Sequence, residues 1–238
     1  MSSIYLFRHG QAGLRHHYDT LSETGCEQAY LLGRYLTARN LRFDAVYVGG
    51  LSRQQQTAAG VCRAYREAGV ELPEPVMDPA WSEFDMTGVF DEVAPLMSAE
   101  DAGFRRLYEE VLEQLTDAKS SVHRDWTHCD TLVMQAWMAG RYPTRAEPWS
   151  IFHERVKENV ARMSARSPRE RIAVFTSAMP IAIWVGLSLG INRSKLMQLA
   201  GVMYNSAITT MRLVDGELTM CTYNGVPHLQ DARLRTFR

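Results

Sequence analysis

Three short apolar runs, each closed by a turn and followed by a helical pattern, do most to limit the folds open to this chain. Ser3–Phe7 (SIYLF) puts apolar side chains on both faces, the pattern of a strand buried inside a parallel sheet. Phe43–Val48 (FDAVYV) ends at Gly49-Gly50, and Ile172–Thr176 (IAVFT) ends at Ser177-Ala178-Met179-Pro180. After the first run, Thr24-Gly25-Cys26-Glu27 has capping-box spacing and predicts a helix through Leu31, Leu32, Tyr35 and Leu36 that stops near Arg39-Asn40. After the second, Ser52-Arg53-Gln54-Gln55 has the same spacing and opens a helix through Thr57, Ala58, Val61, Cys62 and Tyr65. Two strand–turn–helix units within the first 68 residues predict an α/β protein with parallel strands and right-handed crossovers.

Further along, Pro73–Pro79 reads as extended chain and delivers Trp81-Ser82-Glu83-Phe84-Asp85 into a loop. From Glu100 to Arg166 the pattern is mostly helical, with one stripe through Phe104, Leu107, Tyr108, Val111, Leu112 and Leu115 and a second through Phe152, Val156, Val160 and Met163. His123 and His128 lie between these stripes without metal-ligand spacing and read as ordinary surface or core residues. Ala207–Val214 and Glu217–Thr222 are strands joined by Asp215-Gly216, a hairpin signal.

Chemistry concentrates where the first run ends. In an open α/β sheet, ligands bind in the crevice outside the carboxyl ends of the strands. Arg8-His9-Gly10 and Gln11 stand at such an end. Arg8 offers a fork of donors suited to phosphate or carboxylate, Gly10 allows close backbone approach, and His9 is held on a rigid strand. The Ser177–Pro180 turn starts a helix toward the same edge, with Pro180 in its first turn, and the N–H groups of a helix N-terminus favour anions. Glu83 and Asp85 sit beside Trp81 and Phe84; partial desolvation by those rings would raise a carboxyl pKa toward general-acid duty.

Composition narrows the partners. The chain has 238 residues, 46% of them hydrophobic, and a net charge of −1, which gives no sign of a nucleic-acid or membrane surface, so any anion site is local. Cys26, Cys62, Cys129 and Cys221 lack CxxC spacing and predict neither a zinc site nor a disulfide framework. The N-terminus carries no basic region followed by a long apolar run, and a cytoplasmic setting is expected.

Taken together, the motifs resemble the histidine phosphatase superfamily, also called phosphoglycerate mutase-like, and in particular its bacterial phosphatase-type members. Arg8-His9-Gly10 matches the nucleophile motif, and Leu21-Ser22-x-x-Gly25-x-x-Gln28-Ala29 with Leu32-Gly33 matches the first helix. Ser52-Arg53-x-x-x-Thr57-Ala58 is similar to the helix start that brings a second arginine, and Trp81-x-Glu83-Phe84-Asp85 to the segment bearing the acid. The resemblance implies a single domain over 1–238, a three-layer α/β/α sandwich with a mostly parallel central sheet and a helical insertion at about 86–150 near the active site. It implies hydrolysis of a phosphorylated small molecule through a phosphohistidine on His9, with Glu83 as proton donor and without metal or cofactor. Arg8, Gln11, Arg53, Ser177 and Ala178 would bind the phosphoryl group. Ala178 stands where the family carries a second histidine, and Arg15, His16 and His17 replace its usual asparagine region; the latter read as a solvated basic loop. His228, in Asn224-Gly225-Val226-Pro227-His228-Leu229, is a candidate for partial replacement of the lost imidazole, with packing of the tail as its other role. Phosphoglycerate mutase-type transfer, and a weakly active phosphate-binding or scaffold protein, stay open as alternatives, as does the oligomeric state.

Overall fold

The computed structural model describes residues 2–15, 18–117, 119–123 and 125–237. His16 and His17 of the basic loop lie outside the described residues. Six strands form one mixed sheet in the order β3-β2-β4-β1-β5-β6: β1 (Ser2–Arg8), β2 (Ala45–Val48), β3 (Val76–Met77), β4 (Arg171–Thr176), β5 (Ile208–Val214) and β6 (Glu217–Gly225). The β3–β2, β2–β4 and β4–β1 pairs are parallel, whereas β1–β5 and β5–β6 are antiparallel. The β5–β6 pair follows from the hairpin: Asp215 at φ 50° and Gly216 at φ 86° turn β5 directly into β6.

The helices α1 (Glu23–Ala38) and α2 (Ser52–Glu67) carry the chain from β1 to β2 and from β2 to β3, both toward the same sheet edge, so right-handed crossovers put both on one face. There Leu32, Leu36, Val61 and Tyr65 close over Phe7, Val46 and Phe175 in a buried cluster. Trp184 of α7 (Ala178–Leu189) donates from its indole to the Val156 carbonyl of α6 (Trp149–Ser164) at 3.1 Å. Trp81 packs 5.1 Å from Trp184.

The first cap differs from the sequence reading. Ser22, rather than Thr24, caps α1 by accepting the Gly25 N–H at 3.0 Å. Leu51 is the N-cap of α2, whose Gln54 side chain reaches back to the Leu51 N–H, so Ser52 is the first helical residue. Within the expected helical insertion, α3 (Met86–Glu100), which the periodicity does not locate, begins at Asp85, whose carboxylate accepts the Gly88 N–H at 2.9 Å.

Two compact units are distinguished. The first, Met1–Gly13 with His17–Glu83 and Arg155–Arg238, contains the whole sheet. The second, Leu14–His16 with Phe84–Glu154, is helical, with α3, α4 (Ala102–Leu115) and α5 (His128–Met138). Its core stacks Phe84 on Trp137 at 4.3 Å, and its buried Asp130 takes Arg15 in an ion pair of 2.8 Å. Among the described residues no helix is long and apolar enough to cross a membrane. The four cysteines are free thiols.

Candidate active site

Strand register assembles the first part of the site. Arg8 is paired with Thr176 across β1–β4, and the chain continues the ladder one step further, His9 N–H donating to the Thr176 carbonyl at 2.9 Å. His9 and the Ser177 turn therefore leave the sheet side by side at the carboxyl ends of two central strands. The neighbouring strand ends there too, with Gly49 N–H on the Phe175 carbonyl at 3.0 Å, which brings the start of α2 and Arg53 to the same edge.

His9 is 2% exposed and its two ring nitrogens are assigned by their partners. Nδ1 lies 2.7 Å from the Gly10 carbonyl, which only accepts, so Nδ1 carries the hydrogen. Nε2 lies 3.3 Å from Arg53 Nε, which only donates, so Nε2 presents its lone pair. Burial, then the charges of Arg53 and Arg8, hold the imidazole pKa well below its ordinary value, so the ring is neutral at physiological pH.

Both arginines are buried and individually braced. Arg8 donates from Nη1 to the Met203 carbonyl; its Nε is buried without a hydrogen-bond partner among the described residues. Burial lowers the Arg8 pKa, opposed by Tyr18 and by Glu83. Arg53 donates from Nη1 to Asp19 at 3.0 Å and lies 4.8 Å over the Tyr18 ring, while Asp19 also accepts the Ser52 N–H at 3.2 Å. Tyr18 in turn stands edge-on to His9 at 6.3 Å. Thr57, one helical turn after Arg53, accepts the Gly10 N–H at 3.0 Å and donates to the Arg53 carbonyl at 2.7 Å, joining the His9–Gly10 loop to α2. Asp19, Tyr18 and Thr57 were not singled out as site residues from sequence; only Thr57, at a fixed i+4 from Arg53, carried a usable signal.

Glu83 is half-buried and its carboxylate accepts the Met179 N–H at 3.0 Å, at the first turn of α7. The rings beside it are spent on packing: Trp81 is fully buried against Trp184, and Phe84 stacks on Trp137. Asp85 is the cap of α3. Ser177 is buried, its hydroxyl accepting the Gln54 amide at 2.8 Å. Ala178 follows as the first residue of α7 and is partly exposed. Gln11 is clasped by the start of α1: its N–H donates to Gln28 at 2.7 Å, its side-chain oxygen accepts Ser22 at 2.8 Å, and its carbonyl accepts the Ser22 N–H at 2.9 Å. A Cβ at Gly10 would lie 2.5 Å from the Gly25 carbonyl oxygen, and one at Gly25 would lie 2.1 Å from that of Gln11, so this backbone approach needs both glycines. His228 is placed behind His9, its Nε2 2.7 Å from the Ser206 hydroxyl, and Ser206 N–H donates to the His9 carbonyl at 3.0 Å. Among the described residues no cluster of His, Cys, Asp or Glu could hold a metal ion.

Residues 4–102 match the family model of the histidine phosphatase superfamily, branch 1. Over nearly its whole length the chain also shares the fold of solved structures from that class. The alpha-ribazole phosphatase of Shigella flexneri is 19% identical with a TM-score of 0.61, covering 94% of this chain and 96% of that one. A phosphoglycerate mutase of Bacillus anthracis is 17% identical with a TM-score of 0.61, covering 96% and 95%. A broad-specificity phosphatase of Saccharomyces cerevisiae is 38% identical over 74 residues, 28% of this chain. The chain spans 32% and 9% of the lengths of the two curated relatives it matches. The match to the histidine phosphatase superfamily thus spans the segment that carries Arg8, His9, Arg53 and Glu83.

Proposed function

We propose that this protein hydrolyses phosphate monoesters of small molecules through a phosphohistidine on His9. The observation that carries this reading is the neutral, tautomer-fixed imidazole of His9, with its Nε2 lone pair facing the guanidinium of Arg53 and with Arg8 as its chain neighbour. A buried neutral imidazole is a nucleophile at pH 7, and two cations beside it counter the charge that a transferring phosphoryl group spreads over its equatorial oxygens.

In the first step Nε2 forms a bond to phosphorus as the bond to the ester oxygen breaks, and Glu83 gives its proton to the departing alkoxide. In the second, Glu83 takes a proton from water, whose oxygen attacks phosphorus; the Nε2–P bond breaks and inorganic phosphate leaves. Arg8 and Arg53 hold the non-bridging oxygens, and the Ala178 N–H at the start of α7 supplies a further donor. The 86–150 segment is read as a helical insertion in a single domain, and the cytoplasm as the setting. Ala178 favours low turnover as the accompanying expectation, since a methyl group donates no hydrogen bond to the phosphoryl oxygens.

The test is acid-quench-free trapping of 32P-labelled enzyme with a panel of labelled monoesters, run beside a phosphoglycerate mutase assay. Label on His9 with release of inorganic phosphate supports the reading. Label on another residue, or transfer of the phosphoryl group back to bound glycerate, overturns it.

A further inference from the structure

The peptide unit that fixes the His9 tautomer is itself held from behind by a distant part of the chain. The Gly10 carbonyl that accepts His9 Nδ1–H and the Gln11 N–H that donates to Gln28 belong to one planar peptide group, so whatever orients one orients the other. Gln28 is fully buried on α1, and its amide is saturated: the oxygen accepts Gln11 N–H at 2.7 Å, and the nitrogen donates to the Leu234 carbonyl at 2.7 Å and the Thr236 hydroxyl at 2.9 Å. Those two acceptors decide which end of the Gln28 amide faces Gln11.

Thr236 also reaches the preceding peptide. Its hydroxyl donates to Asn205 Oδ1 at 2.9 Å and its carbonyl accepts the Asn205 N–H at 2.8 Å. The next residue, Ser206, has φ 55°, a left-handed backbone uncommon for serine that persists only where surroundings over-determine it. Here the His228 ring on its hydroxyl and the Ser206 N–H on the His9 carbonyl do so. Both peptides flanking Gly10 are thus gripped by groups that converge on Thr236.

We propose that Gln28 and Thr236 are positioning residues for His9, holding the Gly10–Gln11 peptide so that Nδ1 keeps the hydrogen and Nε2 keeps its lone pair. This rests on the reading of His9 as the nucleophile. If the Gln28 amide loses its anchor, the peptide rotates more freely, Nδ1 loses its acceptor, and the ring samples the tautomer in which Nε2 carries the hydrogen and cannot attack.

The experiment compares the full-length protein with Gln28→Met, Thr236→Val and Thr236→Ser by two readouts. The first is the 15N signature of the His9 ring, identified by its loss in His9→Ala, which reports the tautomer without requiring turnover. The second is kcat and KM for p-nitrophenyl phosphate. Expected are a mixed tautomer population with kcat lower by about tenfold in Gln28→Met and about threefold in Thr236→Val, KM nearly unchanged, and recovery in Thr236→Ser, which keeps the hydroxyl. Wild-type tautomer populations in folded Thr236→Val and Gln28→Met overturn the proposal; should Gln28→Met not fold, Thr236→Val alone decides. A wild-type protein that turns over no ester but shows the tautomer shift in the variants retains the positioning role and removes the proposed function instead.

Discussion

The Met179 N–H donates to the Glu83 carboxylate at 3.0 Å, which docks the proposed acid on the first turn of α7, one residue beyond Ala178. An amide oxygen can accept the same hydrogen bond, so Glu83→Gln is expected to keep the fold and the affinity for vanadate. Turnover of an alkyl phosphate, whose leaving group needs a proton, should fall by about 10²–10⁴. Turnover of p-nitrophenyl phosphate, whose leaving group departs as an anion, should fall far less. Equal losses on the two esters would remove Glu83 from the acid role.

Asp85, two residues on, makes the matching control. Its carboxylate accepts the Gly88 N–H and caps α3. Asp85→Ala should therefore cost about 1 kcal/mol of stability in urea unfolding and leave kcat near its starting value. A large loss of kcat at unchanged stability would reverse the assignment of the two carboxylates.

How far the sequence could be read depended on whether a feature leaves a local trace. Strand β4 is buried on both faces, and β1 and β2 bury one face and half-bury part or all of the other, so all three left continuous apolar runs that located them. Helix α3 left no comparable trace because Gly88 and Pro95 interrupt it, although Val89, Phe90, Val93, Ala94 and Met97 bury one side of it. Ser22 took the cap of α1 from Thr24, which puts Gly25 in the helix's first turn, against Gln11. Arg8, His9, Arg53 and Glu83 were legible because each follows a strand end or a motif, and the fold brings them to one sheet edge. Asp19, 34 residues from Arg53, and Gln28, 206 residues from Leu234, were not legible as partners, since such pairings have no period in the sequence.

The two histidines behind and at the site predict how stability responds to acid. Burial pushes His228 down to about 4, and burial with Arg53 and Arg8 pushes His9 well down. Unfolded imidazoles titrate near 6.5, so below that pH the unfolded chain binds more protons than the folded one. Stability is then fully present above about pH 6.5 and declines as pH falls toward 4, with His228 contributing on the order of 3 kcal/mol to the decline. Urea midpoints at pH 7.5 and 5 should separate clearly for the wild type and less for His228→Gln. Parallel declines in both proteins would show that His228 is not kept neutral by the fold.

Arg53 carries a charged partner that an incoming anion must share. Its Nη1 donates to Asp19, whose side chain is 52% exposed, while its Nε faces His9. Arg53→Ala should weaken vanadate binding by about tenfold to a hundredfold, the loss of a charge-assisted bond in a buried site. Asp19→Ala removes only an exposed partner and should change the affinity by no more than about fivefold. Calorimetric titration with vanadate measures both; similar losses in the two variants would mean that Asp19, and not the anion, is what Arg53 is there to hold.

Ala178 offers the sharpest test of the catalytic reading, because it asks for a gain. It is the first residue of α7, partly exposed, and its neighbours are already committed: Ser177 to Gln54, Met179 N–H to Glu83. A larger side chain at 178 therefore displaces none of these bonds. Within the superfamily resemblance a second imidazole belongs at this position, where it donates to the phosphoryl group. One preorganised donor is worth about 10²–10³ in rate, so the wild type should be slow rather than inactive. Ala178→His should raise kcat for p-nitrophenyl phosphate by at least about tenfold, leaving the preferred ester unchanged. The helix N-terminus disfavours a charged imidazolium there, so the new ring acts as a neutral N–H donor at pH 7 and protonates only at lower pH. If the variant folds and binds vanadate but turns over no faster at any pH, the site operates around the small residue, and Arg8, Arg53 and the α7 turn already supply all the stabilisation that the phosphoryl group receives.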